Sequence, residues 1–273
     1  MEQMIGVEVE GAVLAAGYSA CRSLHAPALV FLHAGVSDAR LWQAQVDAYA
    51  PAHAVLRHDR RGFGQSLTVA ATPHSAVADL CAVMDAVGLA RAVLVGGSQG
   101  GRVAIDAALQ RPERVAALVL VAPAVGGAPA GVPTGRAAVL EQAMEAAEAA
   151  GDLERLNELE AQFWLDGPEA PPGRVAGAAR ALFLDMNGIA LRAPDPGPSL
   201  DGDSAWSRLE TLRLPTQVIW GDLDVAHLQA RCERLLQRIP SAQRVVLPGS
   251  AHLPALDAPR AFNDALGGFL AGL

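Results

Sequence analysis

The run Val93-Leu94-Val95-Gly96-Gly97-Ser98-Gln99-Gly100-Gly101-Arg102 constrains this chain more than any other. An apolar, β-branched stretch stops at a serine fenced by glycines, and a helix-like stretch over 103–111 begins at once. A serine on so sharp a turn holds strained backbone angles and brings its neighbours within contact distance. Only glycine then fits two residues before and two after. The pattern Gly96-x-Ser98-x-Gly100 between a strand and a helix is that of a nucleophile elbow. Such a turn lifts the hydroxyl clear of a sheet and aims a helix N-terminus, which favours negative charge, at any oxygen reacting there. The plainer alternative is a glycine-rich turn with an incidental serine, and the flanking strand and helix weigh against it.

Length and composition frame this reading. A chain of 273 residues fits one large α/β domain with room for an insertion. Hydrophobic residues make up 51 % but aromatics only 4 %, so the core is built from small and aliphatic side chains. The net charge of −8, with no basic tract, argues against nucleic acid and anionic membrane as partners. All 21 basic residues are arginine, from which no function is read. Cys21, Cys81 and Cys232 are scattered and odd in number, giving neither a metal spacing nor a disulfide framework. Met1-Glu2-Gln3-Met4-Ile5 lacks the basic-then-apolar order of a signal peptide, so a cytoplasmic location is expected. One uncharged run, 115–133, is long enough to span a bilayer, but Pro123, Gly126, Gly127, Pro129, Gly131 and Pro133 make it a buried strand followed by a loop.

Strands and helices alternate along most of the chain. A short hairpin is expected around Gly11, from 7–10 and 13–16. Strands are expected over 28–33, 54–58, 92–95, 115–121, 217–220 and 244–247. Helices are expected over 41–49, 75–87, 104–110, 226–238 and 260–270, with Val77, Leu80, Cys81, Met84 and Val87 on one face of the second. Alternation with near-continuous apolar strands means a parallel sheet covered on both faces. It breaks between Ala124 and Leu214, where 137–150, 153–165 and 175–186 are helical in pattern and Pro/Gly-rich seams separate them. An all-helical insertion at the carboxyl end of a parallel strand lies where ligands bind. The expected organisation is therefore a core of 1–123 and 215–273 and a helical cap of 124–214.

Five motifs now fall in one order: Phe31-Leu32-His33-Ala34-Gly35, Asp59-Arg60-Arg61-Gly62-Phe63-Gly64-Gln65-Ser66, the elbow, Trp220-Gly221-Asp222-Leu223-Asp224, and Gly249-Ser250-Ala251-His252. In this order they resemble the α/β-hydrolase superfamily over essentially the whole chain. They match its oxyanion loop, its Asp-x-Arg-Gly-x-Gly-x-Ser turn, its nucleophile, its acid-bearing turn and its histidine loop. Ala34 stands where that family usually has glycine. The resemblance implies an α/β-hydrolase fold: a mostly parallel sheet covered by helices on both faces, with a helical cap.

Serine needs a base at neutral pH, and histidine titrates in the right range. The family order serine, acid, histidine selects Ser98, an acid after Trp220, and His252. The family's Gly-x-x-Asp pattern picks Asp224 over Asp222. His252 follows the last apolar strand in a short loop. His25 and His74 lie in polar loops, His53 begins a strand, His58 precedes the Asp59 turn, His227 opens a helix, and His33 resembles the family's brace of the oxyanion loop. Backbone N–H groups of Gly35 and Gln99 are expected to form the oxyanion hole. Asp59, Arg61, Gly62 and Gly64 are read as holding a turn beside the site.

A serine at the elbow sets the chain apart from the haloalkane dehalogenases and epoxide hydrolases it resembles, which carry aspartate there. No metal or redox cofactor is called for. Hydrolysis of a small, largely apolar carboxylic ester or lactone through an acyl-enzyme leads. Carbon–carbon bond hydrolysis and cofactor-free haloperoxidase or perhydrolase activity are alternatives, as is a small-molecule-binding signalling protein with a retained triad. Phe163, Trp164, Phe183, Met186 and Trp206 are the pocket candidates, although such residues at helical spacing more often form the core of a cap. The partner implied is a small-molecule substrate; oligomeric state stays open, a homo-oligomer included.

Overall fold

Apolar strands without polar alternation can be buried only in a sheet that helices cover on both faces. The computed structural model has that arrangement and describes residues 2–21, 26–202 and 204–273. Strands β1 (Gln3–Val9) and β2 (Ala12–Ser19) form the hairpin around Gly11. They are followed by β3 (Leu29–Leu32), β4 (Val55–His58), β5 (Leu67–Thr68), β6 (Ala92–Gly97), β7 (Val115–Val121), β8 (Thr216–Gly221) and β9 (Ala242–Leu247). The sheet order is β1-β2-β4-β3-β6-β7-β8-β9, with β5 paired to β2. Every pairing from β4 to β9 is parallel, and the β2 pairings are antiparallel.

The helices are α1 (Gln43–Tyr49), α2 (Ala76–Ala86), α3 (Gln99–Gln110), α4 (Gly135–Ala149), α5 (Leu153–Glu160), α6 (Gly177–Ala190), α7 (Ala205–Arg208), α8 (Ala226–Arg238), α9 (Pro254–Asp257) and α10 (Pro259–Leu270). Alternate strand residues feed opposite core layers. Leu94, Leu118 and Leu120 pack with Leu80 and Met84 of α2, Val103 of α3 and Leu235 of α8. Val93, Val95 and Val119 pack with Val46 of α1 and Phe262, Leu266 and Phe269 of α10. On α2, Val83 is buried and Cys81 is only half-buried, so the packed face is rotated slightly from the expected one. Among the described residues no strand lies between β7 and β8, and α4 to α7 fill that interval. No helix among the described residues is long and apolar enough to cross a membrane.

Two local departures shape the site. Helix α3 starts at Gln99, directly after Ser98, and so runs through Gly100 and Gly101. Glycine's poor helix propensity hides this in the sequence. Tight packing explains the glycines, because a Cβ on Gly100 would overlap the Leu32 carbonyl oxygen and one on Gly101 would come within 2.6 Å of Pro123 Cβ. Gly100→Ala is therefore expected to destabilise the protein by about 3 kcal/mol, read from its urea midpoint. The second departure is that the helix expected over 153–165 ends at Glu160. A π-helical turn, Ala161–Asp166, follows it. The carbonyls of Leu165 and Asp166 accept hydrogen bonds from Arg174, each at 2.6 Å. Gly167, at φ 92°, then ends the turn. Such insertions widen a helix and re-aim its side chains.

Candidate active site

Ser98 sits between β6 and α3 at φ 48° and ψ −112°, a backbone conformation that costs a non-glycine residue about 1–3 kcal/mol. The surroundings hold it there. Its N–H donates to the Val121 carbonyl at 2.9 Å, and its own carbonyl accepts from Ala124 at 2.9 Å and Arg102 at 3.1 Å. A Cβ on Gly96 would overlap the Gly100 carbonyl, so Gly96 and Gly100, two residues before and after Ser98, are steric requirements of the turn. Ala122, at φ 40°, is a second strained residue beside it that nothing in the sequence marks.

His252 and Asp224 come from the loops after β9 and β8. His252 Nδ1 lies 2.9 Å from Asp224 Oδ2, and both side chains are buried. Asp224 Oδ1 accepts the Val225 N–H at 2.7 Å, which fixes the carboxylate plane. The indole of Trp164, carried by the π turn, lies 4.7 Å from the His252 ring between centroids. The His252 N–H donates to the Trp164 carbonyl at 3.2 Å. Asp257 secures the histidine loop by accepting from Ser250 Oγ at 2.5 Å and Ala251 N–H at 2.8 Å while pairing with Arg174 at 2.6 Å. Asp222 is exposed, and its Oδ1 accepts the Gly249 N–H at 2.7 Å, so it ties the two loops together away from His252.

The oxyanion-loop motif folds as a braced turn. His33 lies with Nδ1 2.7 Å from the Ala34 carbonyl, and its Nε2 accepts the Arg60 N–H at 3.0 Å, which assigns the proton to Nδ1. Ala34 stays out of the left-handed region, so a Cβ is tolerated where the family usually has glycine. Gly35 faces the Gln99 side chain, and a Cβ there would come within 2.8 Å of Gln99 Nε2. Arg60 links these parts, donating to Gln99 Oε1 at 3.0 Å while its guanidinium lies 4.5 Å from the centre of the Phe63 ring. The Asp59 turn behaves as a support. Asp59 accepts N–H groups from Ala39 and Gln65, each at 2.7 Å, and Arg61 pairs with buried Asp79 at 2.7 Å.

Two buried histidines behind this turn make stability depend on pH. Burial, and then the charge of Arg60, push the His33 ring well below its usual value and His58 down to about 4. Their unfolded values are near 6.5, so at His58 the unfolded chain binds more protons between about 4 and 6.5, and the His33 shift acts in the same direction. Their stabilisation is present above that window and is lost as pH falls through it. The urea midpoint is expected to drop from pH 6.5 to 4.5, with His58 contributing about 3 kcal/mol over the full window. His58→Gln should flatten the slope; an unchanged slope would show that His58 does not bind the proton.

A cavity of about 380 Å³ brings together Ser98, Gln99, Gly35 and His252, and Asp224 stands behind His252. Trp164 lines it, but the other four pocket candidates do not. Phe163 packs with Ala137, Val225 and Leu228. Phe183 and Met186 are fully buried against Ala34, Leu41 and Leu165. Trp206 packs against the opposite core layer beneath Arg238. Large apolar residues at helical spacing were drawn into packing between elements, and of the two that the π turn carries, Phe163 and Trp164, only Trp164 reached the cavity. Glu160 and Arg231 line it as well, and neither stands out in the sequence because both sit on ordinary amphipathic helices. His53, His74 and His227 lie outside this cavity, while Met1 and His25 lie outside the described residues. His53 falls in a bend before β4 rather than opening the strand.

This geometry has counterparts in known proteins. The model of the alpha/beta hydrolase family matches residues 29–265. The chain is 28 % identical to the 2-hydroxy-6-oxo-6-phenylhexa-2,4-dienoate hydrolase of Burkholderia cepacia, covering 89 % of this chain and 87 % of that one. It is also 28 % identical to the pimeloyl-[acyl-carrier protein] methyl ester esterase of Aeromonas hydrophila, covering 89 % of this chain and 95 % of that one. The solved structure of Est816, an N-acyl homoserine lactone degrading enzyme, superposes with a TM-score of 0.70 at 26 % identity over 97 % of this chain and 100 % of that one. With the sheet order, the elbow and the family match all spanning the same stretch of sequence, the chain belongs to the alpha/beta hydrolase family.

Proposed function

We propose that the protein is a serine hydrolase that cleaves a small carboxylic ester or lactone through an acyl-enzyme on Ser98. The observation that carries this reading is the shared cavity: a strained serine at the head of α3 and a histidine held by a buried carboxylate line the same walls. In the proposed reaction the Ser98 Oγ attacks the carbonyl carbon while His252 Nε2 takes its proton. Asp224 accepts from Nδ1, which keeps Nε2 free to be the base and stabilises the imidazolium. The N–H groups of Gly35 and Gln99 receive the oxyanion; Gln99, as the first residue of α3, has an N–H that no earlier turn of the helix can use. The carbon–oxygen bond then breaks and the leaving alkoxide takes the proton from His252. Water attacks the acyl-enzyme by the same steps in reverse roles, releasing the acid and Ser98.

The segment 124–214 acts in this reading as a cap, because Glu160 and Trp164 reach the cavity from it. Val36, Ala122, Ala124 and Leu228 supply apolar wall for a modest substrate. A carbon–carbon bond hydrolase is the second reading, favoured by the Burkholderia cepacia relative. Labelling with a fluorophosphonate, mapped by mass spectrometry, tests the first step. The label is expected on Ser98, and turnover is expected on a panel of short esters and lactones. A label elsewhere overturns the nucleophile; labelling without turnover of any panel member favours the carbon–carbon or ligand-binding alternative.

A further inference from the structure

The charged residues of α8 are unevenly used. Arg238 pairs with Glu210 at 3.2 Å and Glu233 pairs with Arg244 at 3.0 Å. Arg231 and Arg234, earlier on the same helix, have no ion-pair partner among the described residues. Arg231 forms part of the wall of the cavity that holds Ser98 and His252. It also lines an adjoining pocket of about 170 Å³, together with Arg234, His227 and the loop 128–132. Among the described residues, no carboxylate lines that second pocket.

The cluster is strained electrostatically. Burial and the charge of Arg231 lower the His227 pKa, and burial and the charge of Arg234 act the same way on Arg231. The His227 Nδ1 is shut off from solvent and has no hydrogen-bond partner among the described residues. The Gly131 backbone lies so close to its ring that a Cβ there would overlap it. Two acids act on the cluster from a distance, Glu141 on α4 and Asp224, and neither forms an ion pair with it. Asp224 is already committed to His252 and the Val225 N–H. The remaining acid of the main cavity, Glu160, is held by a hydrogen bond from Asn187 Nδ2, and burial raises its pKa. A half-buried guanidinium without a carboxylate is poised to gain one from a ligand, since charge-assisted hydrogen bonds are the strong ones.

We propose that Arg231 forms an anion subsite of the cavity and receives a carboxylate carried by the acyl part of the substrate, with Arg234 reinforcing the positive potential behind it. The substrate class is thus the monoester of a dicarboxylic acid or a lactone bearing a free carboxylate. This inference rests on the Ser98 reading and narrows it. It refines a largely apolar substrate to one whose acyl group is apolar along its length and anionic at its end.

The test compares the p-nitrophenyl monoester of adipic acid with p-nitrophenyl hexanoate at low ionic strength. The wild-type kcat/KM is expected to favour the anionic ester by about tenfold, the effect of one charge-assisted hydrogen bond. Arg231→Gln should bring the ratio near unity, Arg231→Lys should restore much of it, and added salt should erode it. Arg234→Gln, at an exposed position, should lower the ratio by a smaller factor and carries the test if Arg231→Gln does not fold. A ratio the same in wild type, Arg231→Gln and Arg234→Gln overturns the subsite. Equal loss of kcat on both esters, with the ratio kept, would assign Arg231 to the Asp224–His252 pair and also overturns it. Ser98→Ala separates the two ideas, because turnover of both esters by that variant removes the Ser98 reading itself.

Discussion

Ser98→Ala is expected to lower kcat for ester hydrolysis by as much as about 10⁶-fold while leaving the fold in place. The size follows from the proposed chemistry. Without the Oγ no acyl-enzyme forms, and what remains is water in a cavity that still offers two N–H groups to an oxyanion. The fold should survive because the strain at Ser98 belongs to its backbone and Cβ, both of which alanine keeps. Ser98→Gly sharpens the point. Glycine adopts positive φ without penalty, so that variant should be equally inactive and no less stable, as expected where strain is kept for function. Thermal melting and steady-state kinetics on the three proteins decide the matter. Hydrolysis by Ser98→Ala within tenfold of wild type would rule out Ser98 as the nucleophile.

The sheet and its core helices were legible because their signals are local. The apolar run 115–121 and the amphipathic run 226–238 coincide with β7 and α8. Periodicity and composition act within those segments, and tertiary contacts only reinforce them. The turn at Ser98 was legible because its geometry demands glycines around the serine, whereas His252, Asp224, Gly35 and Gln99 were reached through the resemblance; Gly35, Gln99 and His252 line one cavity with Ser98, and Asp224 stands behind His252. What escaped was decided across the molecule. The start of α3 at Gln99 depends on how closely α3 approaches β3, which propensity cannot register. The π turn depends on Arg174 capturing two carbonyls from another segment. The roles of Glu160 and Arg231 depend on which face of α5 and α8 meets the cavity. Among the pocket candidates, Phe163, Phe183 and Met186 are buried and Trp164 and Trp206 are only partly so, and apolar character could not tell a core from a cavity wall.

Asp224→Asn is expected to cost about 10⁴ in kcat, and the hydrogen bonds around the side chain show why the loss should exceed that of a missing charge. One carboxylate oxygen accepts the Val225 N–H at 2.7 Å and the other lies 2.9 Å from His252 Nδ1. An asparagine has a single oxygen, and the Val225 N–H requires an acceptor, so the amide nitrogen is turned toward the histidine. Nδ1 must then accept rather than donate, which moves the ring proton to Nε2, the atom that has to be free to deprotonate Ser98. Asp222→Asn makes the matched control. Its oxygen can still accept the Gly249 N–H, the site is exposed, and no contact reaches His252, so activity should stay within a few-fold of wild type. The comparison is read as kcat on one short ester, with melting temperatures to confirm that both variants fold. A severe loss in Asp222→Asn together with a mild one in Asp224→Asn would move the acid two residues back along the turn, and the 2.9 Å bond to His252 would then have only a structural role.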